Sequence, residues 1–260
     1  MLAISSVDKD APAAIQNERF AAWIAELEAR HLAVLSFQEV SRALRALSMT
    51  YVERRDRIRG GAALEGAGKR AAFALFYAPL HFLLVRAIVA ALDAHRVPPT
   101  LVDLGCGTGA AGAAWAATLV KPPKVVAIDR HPWALAEAAA TYRRFGIPAR
   151  MQRGDAAAVA WPRPPAAFIA AFTLNELAGV ARNSVMKRLL ERGDPMLIVE
   201  PLARSATPWW AQWRDAVEQA GGRADEWRFR IELPAIVAKL DRAAGLDHSE
   251  LTARSLFIGH

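Results

Sequence analysis

Residues 101–112 read LVDLGCGTGAAG, a short apolar strand that runs directly into glycines. No other feature of the chain constrains its fold as strongly. Glycines placed at a strand exit let the backbone turn sharply and begin a helix, which is how a βαβ unit of an open α/β sheet starts. The run can be read in two registers. Gly105, Gly107 and Gly109 give G-x-G-x-G, whereas Gly107, Gly109 and Gly112 give G-x-G-x-x-G. The two patterns suit different ligands.

From Thr100 onward, short apolar runs alternate with helical patterns, the sequence form of a doubly wound sheet. LVDL is the first strand and VVAID, residues 125–129, the second, followed by a helix with Pro132 in its first turn and Gly146 at its end. Residues 149–152 form the third strand, AAFIAAF (166–172) the fourth and MLIVE (196–200) the fifth. Thr207 and Pro208 open a helix that carries Trp210, Trp213 and Val217 on one side and stops at Gly221 and Gly222. WRFRIEL, with Trp227, Phe229, Ile231 and Leu233 alternating, and LTARSLFI complete seven strands. Before residue 100 the periodicity is helical. Phe20, Trp23, Ile24 and Leu27 form one stripe, and Phe37, Val40, Leu44 and Leu47 another, behind a capping box spaced as Ser36 and Glu39. The chain therefore divides into an N-terminal helical cap, 1–99, and an α/β domain, 100–260.

Asp103 decides between the registers. A dinucleotide fold sets a pyrophosphate against the first glycine turn, where a carboxylate two residues earlier would repel it. S-adenosylmethionine carries an ammonium and a sulfonium instead, so an acid at this turn attracts it. Asp129, at the end of the second strand, suits a ribose in either ligand class. Gly154 and Asp155 follow the third strand, where an adenine amino group can be met or a plain turn made.

LVDLGCGTG, VVAID, RGD and AAFTLNEL together resemble the motifs of class I S-adenosylmethionine-dependent methyltransferases, over about residues 100–260. The resemblance implies a strand order of 3-2-1-4-5-7-6 with the seventh strand antiparallel. It also implies cofactor contacts from Asp103, Gly105, Cys106, Gly107, Gly109, Asp129, Arg130, Asp155, Ala156 and Phe172. The N-terminal helices, DLGCGTGAAGAAWA, FTLNEL and VEPLA are similar to the ribosomal small-subunit methyltransferase-like assembly family of mitochondria and bacteria. Its mitochondrial members carry cysteines suited to an iron–sulfur cluster; this chain has one cysteine, and that role does not carry over.

Methyl transfer is an in-line displacement, so a protein mainly has to hold the nucleophile close and aligned. Asn175 and Glu176 follow the fourth strand, at the edge where open sheets bind ligands, and are the candidate catalytic residues. Thr173 and Glu176 are equally spaced as a capping box, which would leave the glutamate a structural task. FTLN lacks the prolines of the Asn/Asp-Pro-Pro-aromatic turn common among enzymes that methylate amino groups of adenine or glutamine. Cys106 lies inside the glycine loop, and a small loop residue is favoured over a nucleophile. His131 stacks near the adenine edge or faces solvent, His81 reads as core, and no histidine pair has metal-ligand spacing, so no metal is expected. Trp209, Trp210 and Trp213 are dense enough for an aromatic surface that takes bases or rings, but a tryptophan stripe on one helix reads first as core.

Lysine plus arginine number 33 against 26 acidic residues, a net charge of +7 that favours anionic partners. Arg54, Arg55, Arg57 and Arg59, with Lys69 and Arg70, form one group, and Arg143, Arg144, Arg150 and Arg153 a second. Both are either phosphate contacts or solvated helix faces. The RGGAALEGAGKR segment, 59–70, is a connector or a mobile lid. Phe73 to Leu92 is long enough to span a bilayer, but Pro79, His81 and Arg86 interrupt it, and a buried helix pair is expected. The amino terminus has no secretory pattern, and a single cysteine fits a reducing cytoplasm. Two function classes remain open. One is a cytoplasmic methyltransferase whose acceptor is ribosomal RNA or a small molecule; the other is a cofactor-binding ribosome assembly factor that transfers nothing. Asp103 argues against a nicotinamide oxidoreductase.

Overall fold

The computed structural model describes residues 11–53 and 64–259. Seven strands form one sheet in the order β3-β2-β1-β4-β5-β7-β6. They are β1 (Thr100–Leu104), β2 (Lys124–Asp129), β3 (Ala149–Arg153), β4 (Ala167–Ala171), β5 (Met196–Glu200), β6 (Arg223–Phe229) and β7 (Leu251–Ile258). β1 to β5 are parallel, and β7 runs antiparallel to β5, pairing Glu200 with Arg254 and Met196 with Ile258. The order expected from the sequence resemblance is thus the order found. From β1 the chain winds outward through β2 to β3 and then crosses back to β4 on the other side of β1, and this reversal opens a crevice at the carboxyl ends of β1 and β4.

The period-two alternation of each strand separates two cores. Leu101, Val125, Ala167 and Leu197 face one layer of helices, whereas Val102, Val126, Phe168 and Ile198 face the other. The second layer is α6 (Gly179–Arg192) and α7 (Trp210–Gln219); Trp210, Trp213 and Val217 are buried there, so the tryptophan stripe is core. The first layer holds α4 (Ala110–Ala117), α5 (Pro132–Arg144) and α8 (Ala235–Ala244), together with the N-terminal helices α1 (Ala11–Leu32), α2 (Phe37–Glu53) and α3 (Ala67–Ala91).

The apolar stripe of α1 reaches the sheet's own helices. Trp23 Nε1–H donates to Thr141 Oγ1 on α5 at 3.2 Å, while Phe82 of α3 stacks on Phe20 and on Phe145, each with centroids 4.9 Å apart. One hydrophobic core therefore spans residues before and after position 100. α2 begins with the capping box read from sequence: Ser36 N–H donates to Glu39 Oε2 at 2.8 Å, and Glu39 N–H donates to Ser36 Oγ at 3.3 Å.

Two elements differ from expectation. The stretch from Phe73 is one continuous helix, not a pair, and Pro79 does not break it. Phe73–Tyr77 forms a π-helical turn, and Ala78 N–H bonds Phe73 O five residues back. This wider turn takes up the register error that a proline without an N–H introduces. The helix is long and apolar enough to cross a membrane, but 72% of that window is buried inside the protein. The sixth strand is Arg223–Phe229, so Ile231 and Leu233 lie beyond it, partly buried against the core. It is an edge strand with alternately exposed positions, and GRADE carries no apolar alternation to announce its start.

Candidate functional site

The glycine loop follows β1 with Gly105, Gly107 and Gly109 all at positive φ, between 50° and 76°. A side chain at Gly107 would be strained at φ 50° and would project into the crevice, 3.8 Å from the Phe73 ring. Gly112 lets α4 pack closely on β1: a Cβ there would collide with the Tyr142 hydroxyl and the Asp103 carboxylate. Tyr142 Oη–H donates to Asp103 Oδ2 at 2.5 Å. Asp103 is 1% exposed, and burial raises its carboxyl to about 7 despite the hydrogen bonds from Tyr142 and Gly112 that oppose the shift.

The loop is fastened from two sides. Asp129 Oδ2 accepts from Gly107 N–H at 2.9 Å and its Oδ1 from His131 N–H at 2.8 Å, leaving lone pairs on both oxygens for further donors. Thr173 Oγ1–H faces the carbonyls of Leu104 at 3.1 Å and Gly105 at 3.2 Å, locking the end of β4 to the end of β1. Next to Asp129, Arg130 approaches Asp155 at 3.8 Å, and Asp155 Oδ1 accepts from Ala157 N–H at 2.8 Å. His131 caps α5, its Nδ1 accepting from Trp133 N–H at 3.2 Å. Burial, followed by repulsion from Arg70, lowers its pKa. Cys106 is buried, and burial reinforced by Asp103 and Asp129 pushes its thiol far above the usual range, which leaves it inert as a nucleophile.

Beyond β4 the chain turns at Phe172, whose φ is 56°, and its ring stacks on His81 of α3 with centroids 4.1 Å apart. His81 was expected in the core but stands in the cavity wall, where burial lowers the imidazole to about 3 and keeps it neutral. Thr173 and Glu176 do not make a capping box. No α-helix starts at Thr173, its hydroxyl is engaged with the β1 end, and the Glu176 carboxylate has no hydrogen bond among the described residues. Burial raises Glu176 to about 8, Asp129 adding to the shift and Arg130 opposing it. Asn175 Oδ1 is buried without a partner. The turn carrying both residues is held by Glu200 at the end of β5, whose Oε1 accepts from Leu174 N–H at 2.8 Å and Asn175 N–H at 3.4 Å. Glu200 is itself 0% exposed and raised to about 8 by burial.

Eleven of the twelve site residues read from the sequence line one cavity of about 780 Å³; the twelfth, Gly109, sits behind the loop against Tyr142 and Ala138. The volume is within the range of ligand pockets that enclose a small molecule. Its floor is the glycine loop, Asp129–Pro132, Arg153–Ala156 and the turn after β4; its opposite wall is α3, through Phe73, Tyr77, Leu80, His81 and Leu84. Sequence reasoning missed that wall, as well as Glu200 and His248. Glu200 carries the same signal as Asp129, an acid closing an apolar strand. No group of three or more potential metal ligands occurs among the described residues. Of the arginine clusters, Arg54, Arg55, Arg57 and Arg59 lie outside the described residues. Arg143, Arg144, Arg150 and Arg153 are exposed on α5 and β3, and Arg144 approaches Glu26 at 3.8 Å.

Residues 101–193 match the sequence family described as a methyltransferase domain. Among solved structures the fold is similar to mitomycin 7-O-methyltransferase MmcR, with 13% identity, a TM-score of 0.51, and 90% of this chain and 72% of that one covered. Similar too are the plantazolicin methyltransferase BpumL in complex with SAH, at 12% identity, TM-score 0.48 and coverage of 90% and 100%, and the YcgJ protein of Bacillus subtilis, at 11%, 0.46, and 68% and 99%. No curated protein sequence matches the chain.

Proposed function

We propose that this chain, whose residues 101–193 match a methyltransferase domain, is a class I S-adenosylmethionine-dependent methyltransferase whose cavity binds the cofactor across the β2–β1–β4 edge and an acceptor beneath α3. The observation that carries this reading is Asp129. Its carboxylate closes the glycine loop through Gly107 N–H yet keeps free lone pairs at the mouth of β2, where ribose hydroxyls would be met. The residues fit the cofactor. Gly107 leaves open the space that a Cβ would fill, and the unpartnered Asn175 Oδ1 supplies a buried acceptor in the lining of the same cavity. Gly105, Cys106 and Gly107 would face the amino-acid moiety with their main chain, Asp103 beneath them; Arg130, Asp155, Ala156 and Phe172 would border the adenine. When bound, the cofactor supplies an electrophilic methyl on a good leaving group.

Asn175 and Glu176 would orient the reacting groups at the junction of the two halves. Near pH 7 a carboxyl raised to about 8 is mostly protonated, so Glu176 serves as a hydrogen-bond donor more readily than as a base. A second reading has an RNA acceptor, favoured by the net charge of +7 and by the exposed Arg143, Arg150 and Arg153, the last of which reaches the cavity rim. Mass spectrometry of ligands co-purified with the protein, followed by single-turnover transfer from methyl-labelled cofactor to total RNA or to a small-molecule extract, tests both. Binding of the cofactor without label in either fraction would point to an assembly factor instead.

A further inference from the structure

The acceptor half of the cavity contains a histidine that the cofactor site does not use. β7 runs antiparallel to β5, so its first residues arrive at the same edge as the end of β4, two strand spacings or about 10 Å away. His248, just before β7, lines the cavity there with Leu251 and Thr252. α8 ends at Gly245 in the left-handed conformation, and the chain folds back so that Asp241 grips His248 twice. Asp241 Oδ2 accepts from His248 N–H at 3.0 Å, and its Oδ1 lies 2.6 Å from His248 Nδ1. Asp241 is 7% exposed, and the edge of the imidazole packs on Phe76 with centroids 5.2 Å apart and planes at 80°.

A carboxylate on Nδ1 selects the tautomer with its proton there and leaves the Nε2 lone pair available. Nε2 has no partner among the described residues and is not buried. The neighbouring acid Glu250 is engaged elsewhere, by Arg228 at 3.1 Å, and Asp247 accepts from Ser249 N–H at 2.9 Å. Across the cavity the residues of α3 are Phe73, Tyr77, Leu80, His81 and Leu84, with Phe172 stacked on His81. They bring no cation to meet a phosphate. Among the described residues, the charged ones that line the cavity, apart from Glu250, gather at the cofactor half and its junction.

We propose that His248, held by Asp241, is the general base of the acceptor half, and that the acceptor is an uncharged planar ring compound bearing a weakly acidic hydroxyl. The proposal rests on the methyltransferase reading above. His248 Nε2 takes the hydroxyl proton as the acceptor oxygen forms its bond to the methyl carbon; the carbon–sulfur bond breaks with its electron pair left on sulfur. The positive charge of the sulfonium is thereby replaced by that of the imidazolium, which the Asp241 carboxylate stabilises. Asp241 is a positioning residue.

The full chain is saturated with S-adenosylhomocysteine, its binding followed by calorimetry, and titrated with 7-hydroxycoumarin and 2-naphthol, whose neutral and ionised forms absorb at different wavelengths. An imidazolium beside the bound phenolate should lower its apparent pKa by roughly 1–3 units in the parent protein. His248→Gln should keep affinity for both rings within about threefold and S-adenosylhomocysteine binding unchanged, yet lose the lowering. Asp241→Asn, which keeps an oxygen for Nδ1–H without the charge, should lose part of it. Failure of both rings to bind the loaded protein, or equal apparent pKa values in parent and His248→Gln, would overturn the proposal while leaving the methyltransferase reading in place. Absence of S-adenosylhomocysteine binding by the parent would remove both.

Discussion

Glu200 allows a stability prediction to be worked from the structure. Its carboxyl is fully buried, titrates at about 8 against an ordinary 4.5, and anchors the Leu174–Asn175 turn. The native state therefore holds this proton between pH 4.5 and about 8, whereas the unfolded chain has released it. With more protons bound in the folded state, stability falls as pH rises through that window. The slope is about 1.36 kcal/mol per pH unit, so the loss attributable to Glu200 reaches about 3 kcal/mol by pH 7 and levels off above the folded value. Glu200→Gln retains an oxygen for the two N–H groups and cannot ionise. Urea unfolding of parent and variant at pH 5, 6, 7 and 8 should show curves that lie close at pH 5 and diverge steadily to pH 8, the variant being the more stable. Parallel stability profiles, or a variant less stable than the parent at pH 7, would refute the argument that burial keeps this carboxyl neutral.

Other outcomes follow from single contacts. Tyr142→Phe removes the donor to buried Asp103 and should cost about 1–3 kcal/mol in chemical denaturation, with weakened cofactor binding, since the pair sits directly behind the glycine loop. Gly107→Ala places a methyl at φ 50° facing Phe73 and should reduce S-adenosylhomocysteine affinity at least tenfold by calorimetry, about 1.4 kcal/mol, with a smaller change in melting temperature. Ser36→Ala opens the capping box of α2 and should cost about 1 kcal/mol without touching cofactor affinity. The Cys106 thiol should resist alkylation in the native protein and react only on unfolding, as followed by mass spectrometry.

How far the sequence went depends on the kind of signal each feature carries. Glycines at positive φ, an acid closing an apolar strand and the Ser36–Glu39 spacing are local, and each is where the sequence put it. The central strands were legible because they are buried on both faces and read as unbroken apolar runs. β6 begins four residues before the expected WRFRIEL because an edge strand exposes one face and its first half is polar. Pro79 suggested a break in α3, since a π-helical turn leaves no mark in the spacing of apolar residues. Thr173 and Glu176 have capping-box spacing, but a tertiary bond from Thr173 to the β1 end took the hydroxyl that the box required. The aromatic wall and the Asp241–His248 pair arise from folding α3 and the α8–β7 turn over one edge of the sheet, a juxtaposition that sequence distance conceals.

Whether the G-x-G-x-G loop and Asp129 form an S-adenosylmethionine site is decided by calorimetric titration of the full chain with S-adenosylhomocysteine and, separately, with reduced nicotinamide dinucleotide. Saturable one-to-one binding of S-adenosylhomocysteine is expected, weakened by about 1.5–3 kcal/mol in Asp129→Ala, with no binding of the dinucleotide. Dinucleotide binding in its place, or affinity for S-adenosylhomocysteine unchanged by Asp129→Ala, would contradict the assignment.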